Sequence, residues 1–112
     1  MNPDELKHRA YRLQAQVCST LSNPKRLEIL DLLAEGERSV EALTQAMGIP
    51  KPNVSQHLSL MRQAGIVRGR KEGQSVYYSV ANPKVIEACG LMKQVMIEQL
   101  HHTQRLVAEL SL

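Results

Sequence analysis

The sequence predicts a mainly α-helical single domain over residues 1–112 with one small β-hairpin, in the order helix, helix, helix, helix, strand, strand, helix. Three observations carry that prediction. Apolar residues recur at three- and four-residue spacings along most of the chain, as in helices with one buried face. The pairs Asn2-Pro3, Asn23-Pro24 and Asn82-Pro83 each put a side-chain acceptor before a proline, which marks a helix start. Between Ile66 and Val80, β-branched and tyrosine residues partly alternate on either side of Glu72-Gly73, the pattern of a hairpin.

The first helix runs from Pro3 to near Leu21, with Asp4 and Glu5 at its positive dipole end and Leu6, Ala10, Leu13, Val17 and Leu21 on one apolar face. Ser22-Asn23-Pro24 breaks that pattern and restarts it. The second helix reaches about Ala34, and its Leu27, Ile29, Leu30, Leu32 and Leu33 form an apolar surface wide enough for burial on more than one side. Ser39 caps a short third helix, Val40 to Met47, and Gly48 takes the left-handed stop. The fourth helix spans Lys51 to Ala64 with Pro52 in its first turn. Its Val54, Leu58 and Met61 keep the helical period, while Lys51, Asn53, Ser55, Gln56, Ser59 and Gln63 occupy other faces. Strands from Ile66 to Lys71 and Gln74 to Val80 follow, and the last helix extends from Pro83 to about Leu110, roughly 40 Å at 1.5 Å per residue.

Composition narrows the function classes. A hydrophobic share of 43% beside 22% charged residues is that of an ordinary globular chain. No apolar run reaches the roughly 18 residues of a membrane span, and the acidic start Met1-Asn2-Pro3-Asp4-Glu5 is unlike a signal peptide, so a cytoplasmic protein is expected. Two cysteines, Cys18 and Cys89, are too few for a disulfide framework. No nucleophile-base pairing, carboxylate dyad or phosphate-cradling glycine loop points to an enzyme.

The charge is unevenly placed. Fourteen basic and 11 acidic side chains leave a net +3, yet Ala42 to Lys71 holds no acid while Lys51, Arg62, Arg68, Arg70 and Lys71 are all basic. Such a stretch favours a polyanion, or else forms a solvated basic face or meets an acidic protein partner. With three tyrosines and neither Phe nor Trp, the stacking platforms that hold single strands are missing, which favours double-stranded DNA. Two amphipathic helices joined by a short Gly-containing turn, over about residues 39–64, form a helix-turn-helix whose second helix would enter the major groove. The hairpin, about residues 66–80, with its polar tip Arg70-Lys71-Glu72-Gly73-Gln74, would be a wing reaching the neighbouring backbone.

On the last helix Val85, Cys89, Met92 and Met96 form an apolar seam that Leu100, Val107 and Leu110 continue, on an element too long for so small a core to cover. Pairing of the helices at about 3–21 and 83–110 across a twofold axis would give a homodimer. The other use for these helices is to complete an intramolecular bundle.

This order of elements, together with the strings Leu21-Ser22-Asn23-Pro24-Lys25-Arg26-Leu27-Glu28-Ile29-Leu30, Asn53-Val54-Ser55-Gln56-His57-Leu58, Leu60-Met61-Arg62-Gln63-Ala64-Gly65-Ile66-Val67 and Gly73-Gln74-Ser75-Val76-Tyr77-Tyr78, resembles the ArsR/SmtB family of bacterial transcriptional regulators. The resemblance implies a homodimeric winged helix-turn-helix repressor that occupies a pseudo-palindromic operator and leaves it when an inducer binds. It places base reading at Lys51, Asn53, Ser55, Gln56 and His57, where Asn and Gln suit adenine and Lys suits guanine. His57, beside the apolar Leu58, is alternatively a packing residue. Arg68, Arg70, Lys71 and Gln74 of the wing, with Arg62 nearby, would contact phosphates or the minor groove.

The family's metal-ligand patterns are largely unmatched. Where members that sense soft metals carry Cys-x-Cys, this chain has Val40-Glu41-Ala42-Leu43-Thr44. Where others carry Asp-x-His answered by His-x-x-Glu, it has Asn82-Pro83-Lys84, then Val95 and Glu98, so at most one ligand survives. Cys18 and Cys89 lie on the two helices assigned to pairing. They act either as small buried hydrophobes or as a sensor, by oxidation to a disulfide or capture of a soft metal or metalloid. No cofactor is required by any of these readings. His101 and His102, with His8 or Glu98, either offer ligands to zinc or nickel or sit solvated near a helix end.

Overall fold

A computed structural model describes residues 1–111. Its elements are α1 (Pro3–Thr20), α2 (Pro24–Leu33), β1 (Arg38–Ser39), α3 (Val40–Met47), α4 (Lys51–Gln63), β2 (Val67–Glu72), β3 (Ser75–Val80) and α5 (Pro83–Leu110). The side chains of Asn2, Asn23, Ser39 and Asn82 each accept a backbone N–H of the helix that follows, so local chemistry starts four of the five helices. At the C-terminus of α3, Gly48 has φ 65°, a left-handed turn that glycine makes without strain and that swings the chain into α4.

One core holds the centre of the chain together. Ile29, Leu30 and Leu33 of α2 meet Val40, Leu43 and Met47 of α3, and Val54, Leu58 and Met61 of α4, with Leu21, Ile66, Val67 and Tyr78 closing the cluster. The antiparallel sheet has strand order β1-β3-β2. In its register Gly69 faces Tyr78, and a Cβ at Gly69 would stand 3.2 Å from Tyr78 Cε1, so the missing side chain makes room for the ring.

Three features depart from the sequence expectations. The hairpin carries a third strand, because Arg38 and Ser39 pair with Tyr78 and Tyr77, and two residues are too few to show any periodicity. Arg38 is anchored there by its Nε, which donates to the Leu32 carbonyl at 3.1 Å. In α1 the expected apolar face is not covered: Leu6 is 60% and Leu13 56% exposed, since only the end of the helix, from Val17 to Leu21, touches the core. In α2, Ile29, Leu30 and Leu33 are buried, but Leu27 faces outward and Leu32 is only partly buried.

Neither α1 nor α5 contains a buried residue. Val85, Ile86 and Cys89 rest against the core, and Lys93 Nζ reaches Asp31 Oδ1 at 2.9 Å, while Leu91, Met92, Val95, Met96, Leu100, Leu106 and Val107 are exposed. The two long helices stretch the molecule to a radius of gyration of 17.5 Å, against about 13 Å for a compact domain of this length.

Candidate nucleic-acid interface

The surface is built on α4. Spacings of four and three residues send Val54, Leu58 and Met61 into the core, and this fixes the helix rotation. The opposite side then presents Lys51, Asn53, Ser55 and Gln56, all exposed. Asn53 and Gln56 are three residues apart and so share a face, giving two neighbouring amides that can each donate and accept. The helix begins at Pro50 without a side-chain cap, and Pro50, Lys51 and Pro52 at its positive end are exposed. Arg62 is exposed in the last turn, about 16 Å farther along the axis.

His57 is held differently from its neighbours. It is half-buried, and Arg26 Nε of α2 donates to its Nδ1 at 3.2 Å. Arg26 Nη1 also donates to the Thr20 carbonyl at 3.0 Å, so a single guanidinium joins the end of α1, the start of α2 and the middle of α4. Burial, and then the charges of Arg26 and Lys25, hold the His57 pKa below its ordinary 6.5. The neutral ring is the form that can accept the Arg26 bond. This geometry fits the packing role for His57 better than base reading.

The wing brings Arg68, Arg70, Lys71 and Gln74 to one exposed ribbon. Arg70 does not stand alone. Its Nη2 lies 2.6 Å from Glu37 Oε1 and its Nη1 2.6 Å from Glu72 Oε2, and its plane covers the Tyr77 ring at 4.8 Å from the centroid. Lys51 Nζ is 3.0 Å from Glu41 Oε1 of α3. Sequence reasoning missed Glu37, Glu41, Arg26 and β1, because each acts through a partner distant in the chain or through a strand too short to leave a pattern.

Cys18 is exposed near the end of α1, and Cys89 is half-buried on α5. Burial, and then the charge of Cys18, push the Cys89 thiol pKa up. Cys89 lines an apolar cavity of about 220 Å³ between α2 and α5, with Leu27, Leu30, Ile86, Met92 and Met96 on its walls. His101 and His102 are exposed, and the described residues contain no group of three or more His, Cys, Asp or Glu placed to hold a metal ion. No helix among the described residues is long and apolar enough to cross a membrane.

Comparison with known proteins gives consistent relatives. Residues 23–68, from the start of α2 into β2, match the bacterial regulatory protein family arsR. An HTH-type transcriptional regulator of Mycobacterium tuberculosis, Rv0081, is 38% identical over 91 residues, covering 80% of this chain and 80% of that protein. The biofilm growth-associated repressor of Xylella fastidiosa is 32% identical over 99 residues, 88% of this chain and 86% of the repressor. The homodimeric winged helix-turn-helix DNA-binding domain of Mycobacterium bovis Mb0332, solved by NMR, superimposes with a TM-score of 0.77 at 38% identity, covering 86% of this chain and 89% of that domain.

Proposed function

Because this chain belongs to the arsR family of bacterial regulatory proteins, we propose that it is a homodimeric repressor that binds a pseudo-palindromic operator in duplex DNA and releases it when Cys18 and Cys89 react. The observation that carries this reading is the two-sided α4: Val54, Leu58 and Met61 are locked in the core, and the other side presents Lys51, Asn53, Ser55 and Gln56 to solvent beside a basic wing. Asn53 and Gln56 would read base edges, with Lys51 and Ser55 beside them. Arg62, Arg68, Arg70, Lys71 and Gln74 would hold the phosphate backbone and set the register. His57 would position α4 through Arg26. No cofactor is needed for this work, which takes place in the cytoplasm.

The uncovered apolar faces of α1 and α5 support dimerisation, since an extended molecule with Leu13, Met92, Met96 and Leu100 in water gains by pairing them. A twofold axis then repeats α4 and presents it to two half-sites. For the trigger, exposed Cys18 meets the oxidant first and Cys89 resolves it. The two thiols give two electrons and two protons to the oxidant as the S–S bond forms, pulling the end of α1 toward α5. Thr20 is two residues from Cys18, and its carbonyl takes the Arg26 bond, so that movement reaches His57 and α4. A soft metal or metalloid bridging the two sulfurs would pull the same helices.

The test is a gel shift on the DNA upstream of the protein's own reading frame against a random duplex of equal length. The wild-type chain should prefer the upstream DNA, and Gln56→Ala should lose about 1 to 3 kcal/mol of that preference. Undiminished discrimination by the variant would show that α4 does not read sequence through this amide.

A further inference from the structure

The acid-free stretch from Ala42 to Lys71 is bracketed in the sequence by Glu37 and Glu41 on one side and Glu72 on the other. In the folded chain these three carboxylates turn back onto it. Glu37 accepts Arg70 Nε at 3.0 and 2.9 Å and Arg70 Nη2 at 2.6 Å, while Glu72 accepts Arg70 Nη1 at 2.6 Å. All three guanidinium nitrogens are therefore engaged. Glu41 accepts Lys51 Nζ at 3.0 Å. Among the described residues Arg62, Arg68 and Lys71 have no acidic partner, so the acids close two of the five cations and leave three open.

A guanidinium whose forks meet carboxylate oxygens adopts the arrangement it would take on a phosphodiester. Glu37 thus meets Arg70 as a phosphodiester would, and Glu41 meets the Lys51 ammonium, which takes a phosphate as a point charge. We infer that Glu37 and Glu41 are specificity-determining residues, phosphate mimics that keep Arg70 and Lys51 closed toward arbitrary duplex and yield them where base contacts at Asn53 and Gln56 offset the exchange. This rests on the duplex-binding reading above.

The physics is that of competing anions. Binding to arbitrary sequence is almost wholly phosphate electrostatics, and each phosphate neutralised adds about 0.9 to the slope of log affinity against log salt. With both pairs closed, only Arg62, Arg68 and Lys71 of this stretch contribute freely to that mode. The hydrogen bonds from Arg70 and Lys51 hold Glu37 and Glu41 below the usual carboxylate range, so both acids stay charged at neutral pH and the closure persists there. The pairs are solvent-exposed and therefore weak enough to be exchanged.

Fluorescence anisotropy on a non-operator duplex, from about 50 to 200 mM salt, tests the inference with Glu37→Gln, Glu41→Gln, the double variant and Glu109→Gln. Glutamine keeps an acceptor oxygen, and Glu109, in the last turns of α5, supplies the charge change of either single variant away from α4 and the wing. The double variant should bind this duplex roughly fivefold more tightly at low salt, a factor of the size expected for exposed ion pairs. Its salt slope should steepen by about 0.9 for Lys51 and by less for Arg70, which Glu72 still holds. Glu109→Gln should follow the wild-type chain. If wild type binds DNA and the double variant matches it, or if Glu109→Gln gains as much as either single variant, the inference falls while the duplex reading stands. If the wild-type chain binds no duplex even at low salt, both fall together.

Discussion

Arg26→Met removes the guanidinium fork and keeps an unbranched apolar stem of similar reach, so it isolates the two bonds that join three helices. The lost bonds are Nε to His57 Nδ1 at 3.2 Å and Nη1 to the Thr20 carbonyl at 3.0 Å. A bond to a charged donor contributes roughly 1.5 to 3 kcal/mol when well buried, but Arg26, His57 and Thr20 are all half-buried and water can replace part of each contact. The total loss should be about 2 kcal/mol, seen as a fall in melting temperature of roughly 8 °C at fixed protein concentration. NMR titration of His57 gives a second reading. Burial lowers its pKa most, followed by the charges of Arg26 and Lys25, so the variant should titrate closer to 6.5 without reaching it. A histidine whose folded pKa is depressed contributes stability that is full above the unfolded pKa and is lost as pH falls through the folded one. The variant should therefore lose less stability between pH 6.5 and the folded pKa than wild type does. An unchanged His57 titration together with an unchanged melt would mean that Arg26 links nothing, and the proposed route from Cys18 to α4 would lose its middle step.

Met96→Glu puts a charge on the exposed seam of α5, and sedimentation should show dimer affinity falling by about a hundredfold, the scale of an unpaired charge in an apolar interface. A variant that sediments as wild type at micromolar concentration would place the interface elsewhere. Cys89→Ser should bind DNA as the reduced wild type does and lose the response to diamide and to thiol-seeking metals, read by gel shift with and without each reagent. A variant that still responds would remove the thiol pair as the trigger.

The helices were legible in the sequence because their determinants are local. Asn2, Asn23, Ser39 and Asn82 act within three residues of themselves, and Val54, Leu58 and Met61 reveal their buried face by spacing alone. Periodicity shows that a face is apolar but not what covers it. Leu6 and Leu13 thus read as buried, although they are 60% and 56% exposed within the subunit. Partners distant in sequence leave no pattern either. Glu37 and Arg70 lie 33 positions apart, as Arg26 and His57 lie 31 apart. The only trace of the first pair is that acids stop at Glu41 and resume at Glu72, on either side of the basic stretch.

Selection from a library of random duplexes with the wild-type chain tests the central claim most directly. The recovered sequences should share an inverted repeat whose half-site centres lie about 10 base pairs or a multiple apart, as two copies of α4 related by a twofold axis require. The same selection with Asn53→Ala/Gln56→Ala should recover no shared sequence. A library that emerges unenriched from the wild-type chain, or that yields the same motif from both proteins, would contradict the account.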